Sequence, residues 1–274
     1  MYQWGVDMLV GHGDEALFPD VSAFAPLNDR QLLAVRDTKP FHSGSSVLGT
    51  VEKSSGVYSP LDVDWSATGR PFDLEAVATN GNQKFLAVEG SRFMGRTPRL
   101  MELEVTPDTA RSVKTYDLPD LDQEIEGLVA SRLDAESQTL ILAGRGDGTE
   151  PSKLYWGTLD QKGLQFTEAG RTGVEVRGPL VADEQRDITE LVADSSGVLW
   201  ASSTATVGSV GEYRSAVYQV GRLSRGAEQP FQIDPGEAFL VDGPKIEALQ
   251  VDSDRIFLGS DNESLKGRLD VAMR

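Results

Sequence analysis

One short phrase recurs along this chain, and it restricts the fold more than any other feature. Residues 73–79 read DLEAVAT, 124–130 EIEGLVA, 187–193 DITELVA and 245–251 KIEALQV, with a weaker copy, DVSAFAP, at 20–26. After each copy come a polar turn, a second apolar stretch ending in small residues (QLLAVRD, KFLAVEG, TLILAGRG, GVLWASS, RIFLGSD), a polar loop and a third stretch (SVLGTVE, RLMELEV, KLYWGTL, AVYQVGRL, RLDVAMR). Runs of this length, rich in Val, Leu, Ile and Phe and separated by turn residues, read as strands, and no segment carries a long helical period. Repeats of roughly 40–50 residues holding four strands are propeller blades.

Aligning the third position of the phrase selects Ser22, Glu75, Glu126, Thr189 and Glu247, so five units fill nearly all of the 274 residues. The expected fold is all-β, a five-bladed β-propeller forming a single domain over 1–274. A β-sandwich with irregular loops is the alternative. Fourth, outer strands are read in SVKTYDL, GLQFTEAG and PFQIDPG. The last unit stops at its third strand, RLDVAMR, while the N-terminus has a spare one, YQWGVDMLV. The N-terminal strand is therefore expected to complete the last blade and close the ring, which removes exposed sheet edges.

The first strand of a blade lines the central axis, so five third-position side chains converge at the tunnel mouth: three carboxylates and two hydroxyls. Three close glutamates repel, and a divalent cation would compensate them. Ca²⁺ takes six to eight oxygens at flexible geometry and suits mixed donors plus water. Zn²⁺ would prefer His or Cys, and the chain has only His12 and His42, read as surface or loop residues, and no Cys. The alternative is that each Glu pairs with a neighbouring Arg or accepts from backbone N–H groups.

The order Ser, Glu, Glu, Thr, Glu around five blades resembles the calcium-binding ring of the calcium-activated nucleotidase (soluble apyrase) family. That resemblance implies a five-bladed propeller with Ca²⁺ in its tunnel, held by Ser22, Glu75, Glu126, Thr189 and Glu247. Thr189 stands where the family usually has Ser and keeps the hydroxyl. The phrases DLEAVA, IEGLV and IEAL followed by FLGSD also resemble the "esterase-like activity of phytase" propellers.

The loops that follow the second strands should lie on the face where the inner strands enter. They hold ten basic and six acidic residues in a chain whose net charge is −17. A cationic rim above a metal attracts anions, and Arg offers them a planar fork. Arg36, Arg92, Arg96 and Arg145 are the candidate ligand-binding residues. Arg99, Lys153, Arg214 and Arg268 each precede a third strand and are expected to pair with acids of the next blade. There is no nucleophile elbow, P-loop or Ser–His–Asp spacing. Catalysis would use metal-bound water with Glu89, Asp37 or Asp261, each at the end of a second strand, as base.

The expected function is that of a calcium-dependent hydrolase of a small anionic phosphoester or related ester. The alternatives are a binding module with a structural calcium that grips a protein or glycan, and a glycoside hydrolase with paired carboxylates. The acidic composition argues against nucleic acid as a partner, and no apolar run is long enough for membrane insertion. With no signal peptide and no cysteine, the expectation is a bacterial periplasmic or extracellular protein whose leader has been removed.

Overall fold

The computed structural model describes residues 9–10, 18–36, 46–81, 83–90, 97–132, 137–182, 184–207, 212–224, 228–261 and 267–274. They form five small sheets, one for each unit seen in the sequence. The inner strands are Ala23–Pro26, Leu74–Gly81, Ile125–Arg132, Gln185–Ala193 and Ile246–Val251. Each packs on the inner strands of both neighbours, and the last packs on the first, so the five close into a ring around an axis. This is the five-bladed β-propeller.

The apolar residues explain why the sheets stack face to face. Each inner strand buries both of its faces, and the core is divided into five main clusters, one at each seam between blades. Ala23, Leu33 and Val47 meet Leu74, Phe85 and Met101 at the first seam. Ala76, Leu86 and Leu100 meet Leu128, Leu140 and Tyr155 at the second. Ile141 and Trp156 meet Ile188, Leu199 and Tyr218 at the third, and Trp200 and Val217 meet Leu249 and Leu258 at the fourth. Phe24 and Leu32 meet Ala248 and Phe257 where the ring closes.

That closure is the one expected from the spare N-terminal strand. Leu9–Val10 lies antiparallel to Leu269–Met273, with Leu9 opposite Val271 and Val10 opposite Asp270. The outer edges depart from expectation. GLQFTEAG is a strand only at Gly163–Gln165, and the chain then turns into a short helix, Glu168–Thr172. Thr167 caps that helix by accepting from the Gly170 N–H at 3.0 Å, and a second outer strand follows at Val174–Val176. In the fourth blade two segments, Phe231–Ile233 and Ala238–Gly243, divide the outer edge between them. The second blade carries an added parallel strand, Asp62–Asp64, outside Thr109–Asp117.

Close approach of two inner strands fixes one glycine. A Cβ on Gly127 would lie 2.6 Å from the backbone nitrogen of Leu191 on the next blade. Gly127→Ala should therefore force the third and fourth blades apart and cost about 1–3 kcal/mol in a denaturant titration. An unchanged midpoint would mean that this seam yields easily.

Candidate functional site

The recurring glutamate is explained by a backbone device that three blades share. The ladder of each inner strand skips one residue near its start: from Leu74 to Ala76, from Ile125 to Gly127 and from Ile246 to Ala248. The residues passed over are Glu75, Glu126 and Glu247. A β-bulge of this kind leaves its extra residue unpaired and re-aims the side chain. In the fourth blade a longer skip, from Arg186 to Glu190, contains Thr189. Ser22 precedes the first inner strand, with its N–H donating to the Val35 carbonyl at 3.0 Å.

The five positions nevertheless differ in their surroundings. Thr189 Oγ1 is buried, 2.7 Å from the Ile246 carbonyl and 2.9 Å from Ser202 Oγ. Glu247 Oε1 accepts from Lys245 Nζ at 2.7 Å and from Arg186 Nη1 at 3.1 Å. Glu126 Oε1 accepts from Arg145 Nη1 at 3.1 Å. Burial raises the pKa of Glu126 despite Arg145 and Arg186. Burial also pushes Glu247 up to about 8, with Asp261 and Glu126 adding to it and Lys245 and Arg186 opposing it. Burial works against the charge of Lys245, but Glu247 and Asp261 outweigh it and raise its pKa. This half of the ring is filled by the chain's own ammonium and guanidinium groups. These cations supply the charge compensation that a Ca²⁺ ion would otherwise bring to Glu126 and Glu247.

The other half is different. Asp73, Glu75 and Glu124 bring carboxylate oxygens within 4.8 Å of one another. Gly90 makes the space, since a Cβ there would lie 2.7 Å from Glu75 Cγ. Arg145 adjoins this group as well as the ring: its Nη2 is 3.0 Å from Glu124 Oε2. A cavity of about 400 Å³ opens between the second and third blades, with Gly90, Pro98, Pro119, Leu121 and Glu124 in its wall. A slightly larger cavity, about 440 Å³, is lined by Arg30, Lys53, Asp252 and Phe257. It belongs to the hairpin turns at the opposite end of the blades, away from these carboxylates, and Lys53 closes on Asp252 there at 2.7 Å.

Asp73, Glu124, Arg186 and Lys245 were not among the residues singled out from the sequence, although a signal was present for all but Arg186. The first position of the same phrase reads Asp20, Asp73, Glu124, Asp187, Lys245. Glu190 was also missed. It is fully buried, with Oε1 accepting from the Leu191 N–H at 2.8 Å and Oε2 lacking a hydrogen-bond partner. Burial holds its pKa well above the usual carboxylate range.

The candidate bases and rim cations are held as follows. Glu89 is buried; one oxygen accepts from the Phe72 N–H at 2.9 Å and the other pairs with Arg99, which fixes a loop to its strand. Asp261 lies 3.8 Å from Lys245 Nζ, at the edge of the filled half-ring. Arg36 donates to the carbonyls of Asp20 and Ser46 at 3.1 and 3.2 Å, so it has a structural task that its sequence position did not disclose. Asp37, Arg92 and Arg96 lie outside the described residues. Lys153 pairs with Asp122, Arg214 with Asp242 at 2.9 Å and Arg268 with Asp270 at 2.6 Å. These acids, like Glu89, belong to the cation's own blade and not to the next one.

No family model and no curated protein matches this chain in sequence. Solved structures do match in fold. A thermostable family-43 glycoside hydrolase aligns with a TM-score of 0.58 at 13% identity, over 98% of this chain and 91% of that one. A glycosyl hydrolase from Bacteroides ovatus aligns with a TM-score of 0.50 at 9% identity, over 93% and 84%. A Thermus thermophilus protein described as an oxidoreductase (glucose dehydrogenase) aligns with a TM-score of 0.52 at 11% identity, over 98% and 100%. At these identities the likeness shows the propeller and nothing finer. Among the described residues no helix is long and apolar enough to cross a membrane.

Proposed function

We propose that this chain is a glycoside hydrolase whose reacting groups come from Asp73, Glu75 and Glu124. The observation that carries the reading is the convergence of three carboxylates within 4.8 Å, one of which, Glu124, lines a cavity of about 400 Å³. Glycosidic cleavage asks for two carboxyl groups flanking the bond. One gives a proton to the leaving oxygen, and the other serves as base or nucleophile. A space of that volume takes one or two sugar units, and carboxylates also accept hydrogen bonds from sugar hydroxyls. The glycoside hydrolases among the structures of like fold support the reading as an analogy.

A phosphoester substrate draws less support. The described rim cations Arg36, Arg99, Arg145, Lys153, Arg214 and Arg268 are engaged by carboxylates or carbonyls of this chain. A second reading is favoured by the same cluster: Asp73, Glu75 and Glu124 as ligands of a Ca²⁺ ion, with water completing the coordination. Glu75 is the member shared with the ring expected from sequence.

The test is a panel of aryl glycosides and oligosaccharides, assayed with added Ca²⁺ and with EDTA. Wild type should cleave at least one. Glu124→Gln and Asp73→Asn should each lower kcat/KM about 10²–10⁴-fold, the usual contribution of a general acid or base. Turnover equal in the variants and wild type, or none on any glycoside, would overturn the hydrolase reading. Binding of a glycan without turnover would mark a glycan-binding module. For the Ca²⁺ reading, ion at a hundredfold over its Kd should add about 2.7 kcal/mol of stability. Identical melting in EDTA and in Ca²⁺ would remove that reading and leave the first intact.

A further inference from the structure

Arg145 links the ring to the carboxylate cluster, a position that pairing with Glu126 alone does not explain. Its backbone N–H donates to the Glu124 carbonyl at 2.8 Å, which sets its origin opposite that residue. Its guanidinium then divides between two carboxylates. Nη2 lies 3.0 Å from Glu124 Oε2, and Nη1 lies 3.1 Å from Glu126 Oε1. Glu126 is the buried bulge residue of the ring, and Glu124 is a member of the carboxylate cluster. A planar fork with two separate nitrogens can hold two anions in fixed relation, and a lysine ammonium cannot do so with the same geometry.

We infer that Arg145 is a positioning residue for glycosidic cleavage, a tether that fixes the Glu124 carboxylate against the rigid bulge carboxylate of Glu126. The inference rests on the hydrolase reading and adds a role to it. Bound through Oε2, Glu124 has its rotamer set from one side while its carboxylate stays within the cluster. Close carboxylates repel one another, so an untethered Glu124 would swing away from Asp73 and Glu75. The guanidinium opposes that motion without touching the substrate.

Three variants test this in the full chain: Arg145→Lys, Glu126→Gln and the double variant, each assayed on the glycoside that wild type cleaves. A 1 Å misplacement can cost about 10²-fold in rate. Arg145→Lys should therefore lower kcat by about 10- to 100-fold with little change in KM. Glu126→Gln should lower kcat in the same direction, and the loss should vanish in the Arg145→Lys background, because both act through one tether. Additive losses in the double variant, or a rise in KM alone, would overturn the inference. So would unchanged kcat in Arg145→Lys. If Arg145→Lys melts early, circular dichroism at the assay temperature shows whether it is folded, and Glu126→Gln, which removes only a charge, then tests the tether alone: an unchanged kcat there would overturn the inference. Wild type that cleaves no glycoside would overturn this inference together with the reading beneath it. An active wild type with an indifferent Arg145→Lys would overturn this inference alone.

Discussion

Deletion of residues 2–10 should convert this protein into one that aggregates or melts far earlier than the full chain. Leu9 and Val10 complete the ladder on Leu269–Met273, opposite Val271 and Asp270. Without them the last blade ends in an unpaired strand edge, a template for pairing with another chain. The loss extends beyond two residue pairs. The N-terminal strand ties the start of the chain to its end, so the closing seam, where Phe24 and Leu32 pack against Ala248 and Phe257, loses its strap. Thermal melting and light scattering of the truncated chain check this. A monomer with unchanged melting would show that the seam alone keeps the ring closed.

Lys245→Met should be the most damaging single substitution at the tunnel. Lys245 and Glu247 have side chains only 6% and 9% exposed and sit 2.7 Å apart. Above about pH 8, where Glu247 is ionised, removing Lys245 leaves a buried charge without its counterion and costs about 3–5 kcal/mol. Replacing both, as in Lys245→Met with Glu247→Leu, should recover much of that loss, because the burial of both charges is then relieved. The pH dependence has a definite sign. Glu247 is pushed up to about 8 in the folded chain, mainly by burial. An acid raised on folding takes up a proton, so its contribution is full below the ordinary carboxylate range and is lost as pH rises through about 8. Stability should fall between roughly pH 5 and pH 8, with a slope from this group of at most about 1.4 kcal/mol per pH unit. Glu247→Gln should flatten that slope. A profile that rises over the same interval would show Glu247 to be ionised throughout, held so by Lys245 and Arg186.

Much of the architecture was legible because the repeat is written in apolar residues. A strand such as DLEAVAT must bury both faces, and that requirement leaves Leu74, Ala76 and Val77 little freedom. The outer strands were less legible. They are half exposed, so their apolar pattern is weak. In GLQFTEAG the local signal of Thr167 as a cap, with Glu168 in the first turn, outweighed the strand pattern. The candidate site was legible in position but only partly in partners. In three blades a bulge frees the third residue of the phrase from the ladder, whereas Thr189 is bonded to the Ile246 carbonyl and Ser22 precedes its strand. What compensates it depends on which side chains reach across the seams. Lys245 precedes its own glutamate by two residues, Arg186 arrives from the fourth blade, and Arg145 from the loop after a second strand. None of these distances is written in a local pattern. The Asp and Glu at the first position of the phrase have the same periodicity as the third. They sit at the strand's polar entry, however, where an acid is ordinary, whereas a carboxylate inside an apolar run is not.

The division of the core into seams also governs the spacing of the carboxylates at the mouth. Asp73 and Glu75 ride on the second blade, and Glu124 on the third. The distance between them is therefore set by the thickness of the apolar layer beneath, where Ala76, Leu86 and Leu100 meet Leu128, Leu140 and Tyr155. That layer acts as a spacer gauge. A methylene added or removed there changes the gap between these carboxylates without altering a single polar group. Selection on the spacing of these carboxylates and selection on the packing of that layer would then fall on the same apolar residues.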